Sequence, residues 1–176
     1  MRTFIALELP PRFADDTARL ARRLSAAVRG RFMPRGNHHI TLAFLGEVDE
    51  AGARRAVEAL DAACAGVRAV RCAADGLGTF GRSRDATLWL GIARDPALMR
   101  LAGRLRSELL GRGLEVDAKP FRPHVTLARR ARMPEAPLGD LAFPEPDRAR
   151  AVTLFRSTLG SEGATYKPLY RVELDG

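Results

Sequence analysis

Two short stretches of this chain carry the same arrangement of histidine and threonine. His39 and Thr41 are two residues apart in the first stretch, and His124 and Thr126 repeat that spacing in the second. Apolar and polar residues alternate in both, which predicts two β-strands, and alternate residues of a strand share one face. In each strand the imidazole and the hydroxyl therefore face one way while their aliphatic neighbours face a core. If the two strands lie beside each other, two imidazoles and two hydroxyls meet in one small volume.

Such a group of side chains suits phosphodiester chemistry without a metal ion. The pKa of an unperturbed imidazole, about 6.5, allows one histidine to be neutral and the other charged at working pH. One would deprotonate an attacking water and the other would protonate the leaving oxygen, but the near symmetry of the two stretches leaves these roles unassigned. The threonine hydroxyls could bind the non-bridging phosphate oxygens. His38 has no threonine two residues on, so we expect it to point away from the site.

Other kinds of site fit the sequence less well. A single His-x-Thr would mean little in a strand, but two of them in a chain with three histidines are hard to attribute to coincidence. Zinc sites need three or four ligands, which two histidines with hydroxyl partners do not provide. No Gly-x-Ser-x-Gly is present, and Cys64 and Cys72 are too far apart for a Cys-x-x-Cys pair. We therefore expect neither a metal ion nor another cofactor.

Composition limits the architecture and the partners. A chain of 176 residues, 46% hydrophobic and 28% charged, is long enough for one folded domain or two small lobes sharing a core. Its net charge of +8 would attract polyanions such as RNA ends or nucleotides. Nearly all of that charge is arginine, however, and an excess of arginine could equally reflect the base composition of a genome. Reduced cysteines and the lack of a long apolar run predict a cytoplasmic protein without a membrane span, and we expect a monomer.

The remaining pattern predicts strands and helices in alternation. Predicted strands lie at 1–9, 67–74, 87–92, 151–157 and 165–174, in addition to the two His-x-Thr strands. Predicted helices run from Pro10 to Gly30, from Asp49 to Gly66 and from Asp95 to Gly111. We expect the segments 31–36, 75–81 and 131–148 to be loops or connections. The order strand, helix, His-x-Thr strand, helix occurs once before residue 66 and less cleanly after it, which favours two antiparallel sheets backed by helices across a cleft.

At this point the residues resemble a known family. The runs 39–42 and 124–127 are similar to the two signature motifs of the two-histidine (2H) phosphoesterases, and more closely of their RNA 2′,3′-cyclic phosphodiesterase branch, also known as 2′-5′ RNA ligases. Further runs of the same branch have counterparts in this chain, so the resemblance covers nearly all of it. These runs lie at 4–10, 44–47, 88–91, 121–124 and 154–157.

The resemblance implies a fold, a reaction and residue roles. The fold would be α+β and bilobal, with residues 1–176 forming one domain of pseudo-twofold symmetry around a central cleft. The reaction would be hydrolysis of a 2′,3′-cyclic phosphate to a 2′-phosphate by breaking the bond to the 3′ oxygen, with reversible 2′-5′ RNA joining as a further activity. His39 would donate the proton to the leaving oxygen and His124 would accept one from water. Thr41 and Thr126 would hold the phosphate.

Several assignments stay open at this level. Arg122, two residues before His124, is a candidate phosphate or RNA contact, although a solvated arginine is an equal reading in so arginine-rich a chain. Phe44 and Phe121 could stack on a base, but core packing is the favoured expectation for both. Two other functions also remain: a non-catalytic RNA-binding module of the same fold, and a 2H phosphodiesterase acting on another small cyclic phosphate.

Overall fold

Two four-stranded antiparallel sheets carry the two His-x-Thr strands. The computed structural model describes all residues from 1 to 176 and contains ten strands, three α-helices and a 3-10 turn at Arg35–Asn37. In chain order the elements are β1 (Arg2–Glu8), α1 (Pro11–Leu24), β2 (Arg29–Phe32), β3 (His39–Glu47), α2 (Glu50–Cys64), β4 (Val70–Cys72), β5 (Ala74–Arg82), β6 (Asp85–Ile92), α3 (Pro96–Gly111), β7 (His124–Arg132), β8 (Asp147–Ala149), β9 (Ala151–Gly160) and β10 (Gly163–Glu173).

The order of strands reveals a repeated unit. The first sheet runs β10-β9-β1-β3 and the second runs β2-β7-β6-β5, while β4 and β8 form a small separate ladder. Strand β1, helix α1 and strand β3 correspond to strand β6, helix α3 and strand β7, because each unit leads from a central strand through a helix to a His-x-Thr strand. The predicted α+β architecture with two antiparallel sheets is confirmed.

The helices begin as the sequence predicts. The Asp49 carboxylate accepts a hydrogen bond from the backbone N–H of Gly52 at 2.7 Å, and that of Asp95 accepts one from Ala97 at 3.1 Å, so each caps the helix that follows. Helix α1 begins at Pro11 and ends at Leu24, well before Gly30. The prediction of a first helix that extends to Gly30 is wrong, because Arg29 and Gly30 belong to β2 instead.

One hydrophobic core joins the two sheets. It consists of 35 buried side chains, among them Ile5 and Ile40 of the first sheet and Leu88 and Val125 of the second. Helix α3 follows β6 of the second sheet but packs against β3 of the first and against α2. Helix α3 therefore interlocks the two lobes, because it follows a strand of the second lobe along the chain but packs against the first lobe.

Two segments that the sequence assigned to loops are strands. Part of 31–36 belongs to β2, an edge strand with three exposed residues that shows no alternation of apolar and polar side chains. The segment 75–81 lies within β5, whose glycines hide the strand pattern. The loop 131–148 is shorter than predicted, because β7 extends to Arg132 and β8 begins at Asp147, whereas the closing β9–β10 hairpin is confirmed. None of the three helices combines the length and the hydrophobicity that a membrane-spanning helix requires.

Candidate active site

The two His-x-Thr strands, β3 and β7, lie beside each other where the two sheets meet. The structure thereby brings His39 and Thr41 together with His124 and Thr126, and all four side chains are half-buried. The Nε2 atom of His39 is 3.0 Å from the Thr41 hydroxyl oxygen. A charge on His124 is close enough to disfavour a charge on His39. The four side chains that the sequence singled out thus lie on two strands in contact with each other, with the two imidazoles close enough to interact.

A backbone carbonyl orients the imidazole of His124. Its Nδ1 atom lies 2.7 Å from the carbonyl oxygen of Arg122, and since a carbonyl can only accept, Nδ1 carries the hydrogen in this pairing. The Nε2 atom of neutral His124 is therefore left with its lone pair available. Asn37 stands two residues before His39, as Arg122 does before His124, and its carbonyl favours the charged form of His39. The Arg122 side chain itself is exposed.

Burial depresses the basicity of both imidazoles. It is the main reason why the pKa of His39 is lowered to about 4, while the carbonyl of Asn37 opposes the shift. Repulsion from His38 and His124 when they are charged, and from the charge of Arg129, lowers this pKa further. Burial likewise lowers the pKa of His124, with Arg129 and Arg122 adding to the effect. Without a bound anion, both histidines are predominantly neutral at neutral pH.

Aromatic side chains account for this burial. Phe4 stacks on His39 with ring centroids 4.9 Å apart, and Tyr166 meets the same imidazole edge-on at 5.3 Å. In the other lobe Phe80 meets His124 edge-on at 5.3 Å, and Trp89 lies 5.8 Å from it. Each imidazole is thus held in place by packing on apolar ring surfaces.

Glycine permits one of these packings. Trp89 lies directly over Gly78 of the neighbouring strand, where a Cβ atom would come within 2.1 Å of the indole ring. Only glycine allows the indole to lie flat across β5 at this point. The glycine-rich segment that the sequence assigned to a connection is therefore part of β5, and it supports the Trp89 ring that packs near His124.

Both His-x-Thr strands contain the same β-bulge. Leu42 has no partner between the pairs that Thr41 and Ala43 make with β1, and Leu127 is skipped in the same way between Thr126 and Ala128 opposite β6. An extra residue at a bulge reverses the alternation of faces that follows it. The fifth residue after each histidine, which regular alternation would turn towards the core, therefore faces the cleft.

These fifth residues are Phe44 and Arg129, of which only Phe44 was a candidate from the sequence. The positive charge of Arg129 lowers the pKa of both His39 and His124, so it lies near both. The signal was present, since two consecutive apolar residues after each threonine break the alternation. Phe44 is 47% exposed, so the expectation that it packs in the core is wrong, whereas Phe121 does pack against the core.

His38 points away from the cleft, as the sequence predicts. It is 6% exposed and lines a cavity of about 260 Å³ together with Ala18 and Arg22 of α1. Burial lowers its pKa to about 4. Nowhere in the chain do three or more histidine, cysteine, aspartate or glutamate side chains gather as they would around a metal ion.

The chain has relatives with closely matching length. An RNA 2′,3′-cyclic phosphodiesterase of Thermotoga maritima is 32% identical to it, over 100% of this chain and 97% of that protein. One from Escherichia coli is 31% identical, over 97% of this chain and 94% of that protein.

Solved structures agree with these sequence matches. Escherichia coli LigT without ligand superposes with a TM-score of 0.78 at 29% identity, covering 99% of this chain and 98% of that chain. The same protein complexed with 3′-AMP gives a TM-score of 0.77 at 30% identity, covering 98% and 97%. The family model described as the 2′-5′ RNA ligase superfamily matches residues 9–158. The resemblance noted in the sequence is thus confirmed, and this chain belongs to the 2′-5′ RNA ligase superfamily.

Proposed function

We propose that this protein hydrolyses the 2′,3′-cyclic phosphate ends of RNA or nucleotides to 2′-phosphates without a metal ion. The observation that carries the proposal is the pair of half-buried imidazoles on adjacent strands, each with a threonine two residues on, one of them fixed by the Arg122 carbonyl with Nε2 free. The relatives named RNA 2′,3′-cyclic phosphodiesterase support this substrate class.

In the proposed reaction the two imidazoles move protons in opposite directions. Nε2 of His124 accepts a proton from water as the water oxygen forms a bond to phosphorus. The bond from phosphorus to the 3′ oxygen breaks, and that oxygen keeps the bonding electrons and takes a proton from Nε2 of His39. The product is a 2′-phosphate with a free 3′ hydroxyl. Solvent then returns one proton from His124 to His39, which restores the starting state.

Binding of the substrate favours the protonated form of His39 that the reaction needs. His39 is neutral in the free protein because its pKa is about 4, yet it must carry a proton to act as donor. The negative charge of a bound cyclic phosphate favours the imidazolium and raises this pKa. Substrate binding and protonation of His39 are therefore coupled.

Other side chains would hold the phosphate while the imidazoles act. The hydroxyls of Thr41 and Thr126 would donate hydrogen bonds to its non-bridging oxygens, and the guanidinium of Arg129 would balance the charge that builds there. Arg122 positions His124 through its carbonyl, and its exposed side chain is a further candidate for contact with the substrate phosphate.

The direct test is product analysis with a nucleoside 2′,3′-cyclic phosphate in the presence of a chelator. We expect the 2′-phosphate alone, at a rate that the chelator does not change. A 3′-phosphate product would contradict the assigned leaving oxygen. Activity abolished by the chelator and restored by a divalent cation would contradict the metal-independent mechanism.

The pH dependence offers a second test. The free enzyme must hold His124 neutral and His39 protonated, and both pKa values are lowered, so both limbs of the bell-shaped kcat/KM profile should lie below about 6.5. Thus kcat/KM should already fall as pH rises through neutrality. In the complex the phosphate raises the pKa of His39, so the alkaline limb of kcat should lie at higher pH. Steady-state kinetics across pH measures both, and coincident alkaline limbs would contradict the coupling.

A second activity follows if a 5′ hydroxyl takes the place of water. With the same proton states, His124 would accept the proton of that hydroxyl as its oxygen bonds to phosphorus, and His39 would protonate the departing 3′ oxygen, which leaves a 2′-5′ linkage. With the proton states exchanged, the same imidazoles would reverse this joining, and the family description names 2′-5′ ligation. The non-catalytic RNA-binding alternative is disfavoured because both histidine–threonine pairs are present.

We further propose that residues 1–176 act as one domain and that the protein is a cytoplasmic monomer. The free, buried thiols of Cys64 and Cys72 fit a reducing compartment.

A further inference from the structure

A row of arginines extends from the site along the edge of the second sheet. Strand β2 is the outer strand of this sheet and pairs with β7, and in that pairing Arg31 stands opposite Arg129 and Arg29 opposite Arg132. Arg129 is the residue whose charge acts on both catalytic imidazoles. The row therefore begins at the candidate active site and leads away from it.

Packing determines which face of the sheet carries these side chains. Phe32 packs against the core, so its neighbour Arg31 faces the opposite, cleft side. Ala131 is fully buried, and Arg132 next to it is exposed. A bulge at Arg130, whose φ is 50°, restores the pairing between Arg29 and Arg132 on that side. Arg29, Arg31 and Arg132 are thus exposed on the face that Arg129 shares.

The row also reaches the opposite lobe. The Cδ atom of Arg31 lies 3.9 Å from the point where a Cβ atom would stand on Gly163, the first residue of β10 in the first sheet. The Asn37 side chain donates a hydrogen bond to the carbonyl of Ala164, the next residue of that strand, at 3.0 Å. Because Asn37 stands two residues before His39, these two contacts connect Arg31, through the start of β10, to the segment that carries the first imidazole.

These charges are not neutralised within the protein. Five arginines of the chain do pair with carboxylates, among them Arg35 with Asp15 and Arg171 with Glu8, both at 2.7 Å. The side chains of Arg29, Arg31 and Arg132 form no ion pair or hydrogen bond with the rest of the chain. Three neighbouring unpaired guanidinium groups on one surface favour a polyanion as the partner.

We propose that Arg29, Arg31 and Arg132 bind the phosphates of the RNA strand that leads into the cyclic end, so that single-stranded oligonucleotides are preferred to mononucleotides as substrates. This inference rests on the proposed function. A 2′,3′-cyclic phosphate ends its strand, so the chain can leave the site in one direction only, towards its 5′ end. The arginine row supplies positive charge along one such exit. Two exposed aromatic rings, Phe44 of β3 and Phe80 of β5, lie elsewhere around the site, and bases of a single strand stack on such rings.

The test compares two substrates and two triple variants. The substrates are a nucleoside 2′,3′-cyclic phosphate and a short single-stranded RNA with the same cyclic end. Arg29→Gln, Arg31→Gln and Arg132→Gln together remove the row. Arg12→Gln, Arg23→Gln and Arg100→Gln remove the same charge from exposed positions on α1 and α3, as a matched control.

The expected difference is in the use of the longer substrate. Three phosphate contacts predict that its kcat/KM falls roughly 20-fold more than that of the mononucleotide between about 50 and 200 mM salt, from a slope of about 0.7 per contact. The row variant should lose this salt dependence and the preference for the oligonucleotide but keep mononucleotide turnover. The control variant should retain all three properties.

Two results would overturn the arginine row. One is an oligonucleotide preference that persists in the row variant. The other is an equal fall in kcat/KM for both substrates, which would assign these arginines to the imidazole site or to the stability of the fold. Failure of the unaltered protein on both substrates would instead contradict the proposed function. In that case, salt-dependent binding of the same RNA, compared between the two variants by fluorescence anisotropy, would still test the row.

Discussion

Replacing His124 by alanine is expected to lower kcat for cyclic phosphate hydrolysis by about 10²- to 10⁴-fold, the range typical of a lost general base. His39→Ala should cost a similar factor, because the 3′ oxygen would then leave without a proton. The double variant should be little worse than either single one, since both groups act in one step. Single-turnover hydrolysis of a nucleoside 2′,3′-cyclic phosphate measures the three values.

The third histidine provides the control for this experiment. His38 is as deeply buried as a core residue and faces α1, so His38→Asn should lower the free energy of unfolding while leaving kcat nearly unchanged. The pH profile separates the two catalytic roles. His124→Ala should remove the acid limb and His39→Ala the alkaline limb. A His124→Ala enzyme that kept its activity, or that lost the alkaline limb instead, would contradict the assignment.

Arg129→Ala is expected to reduce kcat/KM by about 10²- to 10³-fold, the usual cost of removing a group that stabilises charge in the transition state. Its guanidinium also lowers the pKa of both imidazoles, so the variant should shift the kcat/KM bell towards higher pH. Arg129→Lys should restore part of the rate, because it keeps the charge but not the fork of donors. Steady-state kinetics over a range of pH would record both effects.

The neighbouring arginine is the matched control. Arg130 adopts a φ of 50°, a left-handed conformation that asparagine accepts more readily than most residues. Arg130→Asn therefore removes an adjacent positive charge without straining the strand, and we expect nearly unchanged kinetics. An equal loss in both variants would show that the general basicity of β7, rather than the Arg129 guanidinium, supports the reaction.

The elements that the sequence predicted well are those with a clear period or cap. Asp49 and Asp95 identified the starts of two helices, and alternation identified both His-x-Thr strands. Strands β2 and β5 escaped detection because an edge strand needs no apolar face and glycine contributes no pattern.

The predicted site was incomplete for a related reason. His39, Thr41, His124 and Thr126 could be grouped because alternate residues of a regular strand share a face. Arg129 does not follow from that rule, because a bulge lies between it and His124. The two consecutive apolar residues after Thr126 indicate that the alternation breaks there, but which face follows the break is decided by strand pairing. The low pKa of His39 also depends on side chains distant in sequence, Phe4 and Tyr166, which only the folded chain brings to the imidazole.

The crossed packing of α3 limits how the protein can move. Separating the lobes would pull this helix away from β3 and α2 and expose a core that both sheets share. Such a cost disfavours hinge opening, and it makes unfolding of one lobe alone equally unfavourable. The distance between the two imidazoles is therefore set by the fold before any ligand arrives. We therefore expect substrate entry and product release to need no domain closure, so that they are not limited by the microsecond-to-millisecond timescale of such motions.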